Sequence, residues 1–373
     1  MSLLHTLGFD DARARELDAL ISSFGKELVP ARVSRVDRGA LTVLTDGDTS
    51  TTTVRVRLAG SFFHAGRSNS ADQLGTPAVG DWVALDGETA VAVFDRRSMF
   101  ARLSTSGEAV AQAVAANIDI VFVVVPLTGR WRPRLVQRCL ALAWQSGATP
   151  VVLLTKIDLA RAGDTGGAGA DDGADDVDER IDAAHAEAVG VEVHAISSTT
   201  GVGLDALEPY LTPGQTVVMI GPSGSGKSTL TNALGAGVVV QETGAVRDDG
   251  KGRHTTTARE LIVLPSGAIV IDTPGLRGVG LWDADDGIAL GFADVAKLAA
   301  DCRFADCAHH GEPGCAVLRA ISEGDLEASR LADYKKLLRE QHWLELRRDT
   351  RARAQEHARA KVFYREIRRQ PHR

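Results

Sequence analysis

The segment Gly221-Pro222-Ser223-Gly224-Ser225-Gly226-Lys227-Ser228, followed by Thr229, has the residue types and spacing of a loop that cradles phosphates. Its glycines let backbone N–H groups turn inward around phosphate oxygens. Lys227 is placed to reach the terminal phosphates, where it serves catalysis as a fixed positive charge, and the Ser228 hydroxyl can hold Mg²⁺. A second motif, Thr155-Lys156-Ile157-Asp158, has the form of a guanine reader. The Asp158 carboxylate can accept from the N1–H and the amino group of guanine, whereas adenine offers neither, a difference of roughly 1.5–3 kcal/mol per charge-assisted bond. The stem of Lys156 would lie along the base, and Ser197-Ser198 end the next strand-like run, where a second base-contacting loop is expected. The usual first residue of the motif is Asn. Thr155 stands there instead, so the bracing role of that Asn is weakened or met differently.

A third group would sense the γ-phosphate. In Asp272-Thr273-Pro274-Gly275, Asp272 would hold Mg²⁺ through water and the Gly275 N–H would contact the γ-phosphate. Between this motif and the phosphate loop lies Gly252-Arg253-His254-Thr255-Thr256-Thr257, in a glycine-rich, charged stretch suited to a mobile switch. One hydroxyl there, Thr256 or Thr257 by preference, is expected on Mg²⁺. Leu276 occupies the place where Ras-like GTPases carry a water-orienting glutamine and cannot do that work. His254 is the nearest group with suitable chemistry. The phosphate loop alone would also suit an ABC-type ATPase, but neither a Leu-Ser-Gly-Gly-Gln-like signature nor an apolar strand ending in Asp-Glu is found.

These motifs come in an unusual order. An ordinary GTPase runs phosphate loop, DxxG, base motif. Here the base motif comes first and the phosphate loop follows more than sixty residues later. The stretch from Gly275 to Cys302 has no room for the missing strands and helices. The residues before the phosphate loop must supply them, which requires a circularly permuted domain.

Cys302, Cys307, His309 and Cys315 form C-x4-C-x-H-x5-C. Three thiolates and an imidazole suit one closed, tetrahedral, structural Zn²⁺ site with no position open for catalysis. His310 is the competing imidazole, and Cys139, in an apolar helix pattern, reads as core.

The elements that must position these residues fall into zones. Residues 1–28 read as an amphipathic helical segment with Leu3, Leu4, Leu7, Leu17, Leu20 and Ile21 as its apolar positions. Residues 29–98 hold five strand-like runs punctuated by Gly39, Gly47, Gly60, Gly80 and Gly87, the pattern of an OB-type β-barrel, although an SH3-like barrel would give a similar one. Residues 99–281 alternate strand and helix, with six strands beginning at Ile118, as a doubly wound α/β domain requires. An acidic, Gly- and Ala-rich insertion at about 161–178 interrupts them. Residues 282–373 form a helical module around the cysteine cluster. From Lys335 to Arg373 there are 13 Lys/Arg against 5 Asp/Glu, so out of a formal −7 the other residues carry −15. A basic tail on an acidic body points to nucleic acid. The longest apolar run, Ile118 to Val125, is too short to cross a bilayer, and acidic residues arrive early in place of a signal peptide. The expectation is a cytosolic (cytoplasmic), monomeric protein with no membrane contact.

Taken together, Val79-Gly80-Asp81-Trp82-Val83, Ala115-Ala116-Asn117-Ile118-Asp119, the TKID motif, the phosphate loop, Gly-Arg-His-Thr-Thr-Thr, DTPG and the C-x4-C-x-H-x5-C cluster resemble the circularly permuted GTPases of the RsgA (YjeQ) family over almost the whole chain. The resemblance implies an N-terminal OB barrel, a central permuted P-loop GTPase domain and a C-terminal α-helical zinc-binding domain. It also implies a role in late maturation of the small ribosomal subunit, with rRNA contacts and GTP-to-GDP turnover stimulated by the subunit. Thr155 and the acidic insertion depart from the family pattern.

Overall fold

The computed structural model describes residues 3–37, 39–47, 51–60, 62, 76–103, 111–129, 133–163, 177–235, 260–272, 292–304 and 306–348. Three bodies of secondary structure follow one another, each built by a different sequence pattern.

The chain opens with a 3₁₀ turn, Leu3–Leu7, and a helix α1, Asp11–Phe24, rather than the single helical segment read from the sequence. Gly8, at φ +85°, breaks the two apart. Asp10 caps α1 by accepting from the Arg13 N–H at 3.1 Å, and Gly25 closes it in the left-handed conformation. The most buried side chain of α1 is Arg13, whereas Leu17, Leu20 and Ile21 are half-buried.

Five strands then close a barrel: β1 (Val29–Asp37), β2 (Ala40–Asp46), β3 (Thr51–Leu58), β4 (Trp82–Asp86) and β5 (Thr89–Val93), in the order β1-β2-β3-β5-β4 with β4 returning to β1. The β3–β5 pair is parallel and the others antiparallel, so the chain makes a Greek-key closure and not a simple meander. This is the OB arrangement. Ala31, Val33, Leu41, Val43, Val56, Val83, Leu85 and Ala90 fill the inside.

A two-stranded antiparallel hairpin that the sequence reading did not foresee, β6 (Met99–Leu103) with β7 (Ala111–Ala116), leads out of the barrel. Beyond it stands a six-stranded sheet. Its members are β8 (Ile120–Pro126), β9 (Thr149–Thr155), β10 (Val193–Ala195), β11 (Thr216–Ile220), β12 (Glu260–Val263) and β13 (Ile269–Asp272), in the order β10-β9-β8-β11-β13-β12. All are parallel except β12. The strands that precede the phosphate loop in sequence lie on one side of β11, and those that follow lie on the other. The order of the motifs required this arrangement. Alternate residues of β8 and β11 face two separate cores: Val121, Val123, Val125, Val218 and Ile220 on one side, Ile120, Phe122, Val124, Val217 and Met219 on the other. The first core is shared with α2 (Pro133–Gln145), α4 (Val177–Glu187) and the C-terminal helices. Between α2 and α4 a short helix, α3 (Ile157–Arg161), follows β9. Helix α5 (Lys227–Leu234) follows the phosphate loop.

The last body contains α6 (Ala293–Ala300), α7 (Ala316–Glu323) and α8 (Ala328–Arg348). Arg330 on α8 forms a bidentate pair with Asp294 on α6, at 3.0 and 3.1 Å, and stacks on Phe292. No helix among the described residues is long and apolar enough to cross a membrane.

The barrel meets the β6–β7 hairpin through close backbone contact, beside a buried ion pair of its own. Gly80 sits at φ +89°, and a Cβ there would lie 2.2 Å from the Ala116 carbonyl oxygen. Next to it, fully buried Asp81 pairs with Arg96 at 2.6 Å and accepts from the Ala78 N–H at 2.7 Å. Gly80→Ala therefore combines backbone strain with overpacking and is expected to cost about 2–4 kcal/mol. A lower midpoint in urea unfolding followed by tryptophan fluorescence will show it; an unchanged midpoint would contradict this packing.

Candidate functional site

Parallel pairing brings the C-terminal ends of β8, β9, β11 and β13 to one edge of the sheet. In α/β sheets this edge is where ligands bind. The loop after β11 is Gly221 to Gly226. Gly221, at φ +146°, comes so near the Val124 carbonyl oxygen of β8 that a Cβ would lie 2.1 Å from it. Gly224 and Gly226 also have positive φ, and Gly226 stands at the N-terminus of α5. A glycine-rich loop that runs into a helix N-terminus is an arrangement suited to phosphate oxygens. Lys227 curls back over the loop, donating to the carbonyl oxygens of Gly221 at 3.0 Å and Pro222 at 2.7 Å. Ser228 is half-buried, Ser223 and Thr229 are exposed, and the Ser225 side chain is fully buried.

The TKID residues sit at the end of β9, directly beside this loop. Thr155 is 1% exposed, and its hydroxyl donates to the Ser225 carbonyl oxygen at 2.6 Å. That bond ties the base motif to the phosphate loop across 70 residues of sequence. The bracing expected of Asn is therefore met by a threonine hydroxyl. Lys156 has φ +64°, uncommon for a side-chain-bearing residue, and it opens α3, with Asp158 in the first turn. Ile157 is buried and its N–H reaches the Ile196 carbonyl oxygen at 3.4 Å, so the base motif is latched to the end of β10. From there Ser197 makes a tight loop: its N–H donates to Val202 at 2.9 Å and its Oγ accepts from the Thr200 N–H at 3.1 Å. The Ser198 Oγ is buried and has no hydrogen-bond partner among the described residues. A buried polar atom left in this state fits a site that expects a ligand with polar edges.

Asp272 ends β13, beside β11 in the sheet. His254, Thr256, Thr257 and Gly275 lie outside the described residues, as do Leu276 and the C-terminal part of the basic tail.

The cysteine cluster closes as the spacing implied. The ligand atoms of Cys302, Cys307, His309 and Cys315 all lie within 4.8 Å of one another. Cys302 Sγ is 3.9 Å from Cys315 Sγ and 3.7 Å from His309 Nδ1, and His309 Nδ1 is 3.4 Å from Cys315 Sγ. A tetrahedral metal with M–S near 2.3 Å and M–N near 2.0–2.1 Å would set ligand–ligand edges of about 3.5–3.8 Å, so the four residues fit a metal ion. His309, at φ +57°, is turned inward and buried; His310 is exposed and faces Lys335. This decides between the two histidines. The Cys315 Sγ also accepts from the Leu318 N–H at 3.4 Å, which anchors the cluster to the start of α7.

Sequence reasoning missed the polar residues that join barrel and sheet. Arg13 and Arg32 are buried and bond to Asn117, whose own φ is +55°. Buried arginines look like surface charges in a hydrophobicity pattern; the Asn117-Ile118-Asp119 run was the one local signal.

A sheet with the phosphate loop on a central strand and the base motif on a strand that comes earlier in sequence defines a circularly permuted P-loop GTPase. Comparison with known proteins agrees. The family model for the RsgA GTPase matches residues 93–282. A small ribosomal subunit biogenesis GTPase RsgA of Streptomyces coelicolor is 42% identical over 360 residues, covering 95% of this chain and 91% of that protein. One from Methanosarcina acetivorans is 39% identical, covering 77% of this chain and 76% of its own. Among solved structures, YjeQ from Thermotoga maritima superposes with a TM-score of 0.60 at 24% identity, over 84% of this chain and 98% of that one, and supports the fold. YloQ, described as a circularly permuted GTPase, gives 0.57. The chain belongs to the RsgA GTPase family and is a GTP hydrolase.

Removing the Thr155 hydroxyl while keeping its shape isolates the brace. Thr155→Val leaves the Ser225 carbonyl unpaired in a buried place and is expected to cost about 1–3 kcal/mol of stability. Thermal unfolding measures it, and a Tm equal to that of the unaltered protein would show that the bond does not hold the two loops.

Proposed function

We propose that this GTP hydrolase is a late assembly factor of the small ribosomal subunit, binding the subunit in its GTP state and leaving after subunit-stimulated hydrolysis. The observation that supports the nucleotide half is the Thr155–Ser225 hydrogen bond of 2.6 Å, which joins residues 155–158 to the Gly221–Ser228 loop and favours reading the two as one guanine-nucleotide site. The ribosomal half rests on relatives named as small ribosomal subunit biogenesis GTPases that align over most of the chain.

In this reading Asp158 accepts from the guanine edge, and Lys156, Ile157, Ser197 and Ser198 line the base. The N–H groups of Gly221, Ser223, Gly224, Ser225 and Gly226 surround the phosphates, Pro222 shapes the loop without donating, and Lys227 leaves its loop carbonyls for the β- and γ-phosphates. Thr229 flanks Ser228, which would hold Mg²⁺ together with Asp272 and Thr256 or Thr257. Bound Mg²⁺ would neutralise charge that develops on the phosphate oxygens. His254 orients the attacking water, and Gly275 reads the γ-phosphate. The hydrolytic step is then mostly positioning and electrostatic stabilisation, as phosphoryl transfer requires.

The proposed units are residues 29–98 for the barrel, 99–281 for the GTPase domain and 282–373 for the metal-binding helices, with the N-terminal segment 1–28 clamped between the first two. Zn²⁺ is the metal that three thiolates and an imidazole suit best. Loss of the γ-phosphate would move the Gly275 segment, which leads directly into the metal module. A second contact supports coupling: Arg330 of that module lies 3.7 Å from Glu187 at the end of α4, the helix that follows the base motif. The barrel and the basic C-terminal residues would contact rRNA phosphates, making binding salt-sensitive. The protein acts as a cytoplasmic monomer.

GTP turnover measured with isolated small subunits, with large subunits and with neither tests the proposal. Small subunits alone are expected to raise turnover by roughly tenfold or more, and His254→Ala to lose most of that gain with GDP affinity unchanged. Equal turnover in all three conditions would end the ribosomal reading.

A further inference from the structure

At the edge of the sheet opposite the phosphate loop, where β8 and β11 begin, the N-terminal segment, the barrel and the GTPase sheet enclose a recess of about 250 Å³. Arg13, Arg32, Trp82, Asn117, Gln215 and Thr216 are among the residues that line it. Arg13 and Arg32 are 3% and 1% exposed. Their guanidinium carbons lie 5.9 and 5.6 Å from the Trp82 ring centroid, so one indole carries both.

Acids act on these two arginines only from a distance, Glu16, Asp10 and Asp81 on Arg13 and Asp119 and Asp81 on Arg32. Arg13 donates to Asn117 Oδ1 at 2.7 Å and to the Asp95 carbonyl oxygen at 3.4 Å. Arg32 donates to Thr216 Oγ1 at 2.6 Å and to the carbonyl oxygens of Leu7, Gly80 and Asn117. Every one of these acceptors is neutral. Among the described residues neither arginine makes an ion pair, in contrast to Arg96 on Asp81 nearby. The two carboxylates that border the recess have other partners: Asp10 pairs with Arg97 at 2.7 Å, and Asp119 accepts from the Thr216 N–H at 2.8 Å. Burial brings Arg32 down to about 10, with Arg13 pushing the same way and Asp119 opposing, which leaves it charged at neutral pH. The Gln215 Oε1 is buried without a partner, and a half-turn of that amide would present an NH₂ donor instead. Two desolvated guanidiniums on neutral acceptors, with an unsatisfied amide beside them in an open recess, have the chemistry of an oxyanion receptor.

We propose that this recess is a second anion site, distinct from the phosphate loop, which binds a free phosphate-type oxyanion between Arg13, Arg32 and Gln215 and clamps the barrel and N-terminal segment to the GTPase sheet. The site lies at the start of β11, and the phosphate loop lies at its end. An anion held there bears on Thr216, one strand length from the catalytic loop, without touching nucleotide. This inference does not depend on the ribosomal role.

The test uses the full chain with its nucleotide site filled by a non-hydrolysable GTP analogue and Mg²⁺, so that the phosphate loop takes no added phosphate. Inorganic phosphate is titrated by calorimetry. One saturable site is expected, weakened roughly tenfold or more by Arg13→Gln and several-fold by Gln215→Leu, with Tm rising as phosphate is added. Gln215→Leu keeps the measurement decisive if Arg13→Gln fails to fold. Dimethyl phosphate, which mimics a nucleic-acid backbone diester, is expected to bind much more weakly than phosphate; equal binding would assign the recess to a polynucleotide and overturn the free-anion reading. Absence of saturation into tens of millimolar phosphate, or equal affinity in both variants, would overturn the site itself.

Discussion

The pairing of β11 with β8 holds the nucleotide site together. β11 carries the phosphate loop, and β8 comes from a part of the chain nearly a hundred residues earlier. Their register sets Ile220 opposite Val123, and the next residue, Gly221, then presses against the Val124 carbonyl with no space for a side chain. The next pairing, β8 with β9, places Thr155 opposite Pro126. Two registers in series therefore decide whether the Thr155 hydroxyl meets the Ser225 carbonyl. Because side chains alternate faces along a strand, a slip of one residue in β8–β9 would turn Thr155 toward the opposite core, and one in β8–β11 would displace the phosphate loop. Strands buried on both faces resist such slips through packing, since Val121, Val123 and Val125 fill one core while Phe122 and Val124 fill the other.

Much of this was legible in the sequence because it depends on local pattern or on counting. The five barrel runs and six sheet strands announce themselves by apolar alternation or by short continuous apolar stretches between glycines. Permutation followed from the order of three motifs and the lack of room after Gly275. The choice of His309 over His310 was less accessible: it rests on a left-handed backbone turn that aims one imidazole inward. The hairpin β6–β7 was missed because Ala111 to Ala116 is alanine-rich and carries little strand signal. The N-terminal leucines recur at helical spacing, yet Gly8 divides the segment and Arg13 is the most buried residue of its helix. No pattern of hydrophobicity reveals an arginine that is buried by neutral acceptors and an indole.

Polar side-chain bonds reach the GTPase domain from both of its neighbours. On the barrel side, Arg32 bonds to Thr216 at the first residue of β11. On the metal side, Arg330 joins α8 to α6 through Asp294 and approaches Glu187 on α4. Glu187 is half-buried and shares its carboxylate with Gln137 of α2, and burial raises its pKa even though Gln137 and Arg330 oppose the shift. The Arg330–Asp294 pair lies within the C-terminal helices, which share the apolar core of the sheet through Phe292, Val295, Val317 and Leu331, and the Arg330–Glu187 approach adds a polar contact to that packing.

The central claim is that a base motif from the early part of the chain and a phosphate loop from the later part form one guanine-selective site. Asp158→Asn tests it most directly, with affinities for GTP, ATP and XTP measured side by side. The substitution exchanges an acceptor for an amide, which can accept from N1–H of xanthine and donate to its 2-oxo group. The unaltered protein is expected to favour GTP strongly over ATP, and the variant to lose about a hundredfold or more in GTP affinity while gaining XTP. Equal binding of GTP and ATP by the unaltered protein, or undiminished GTP affinity in Asp158→Asn, would contradict the assignment.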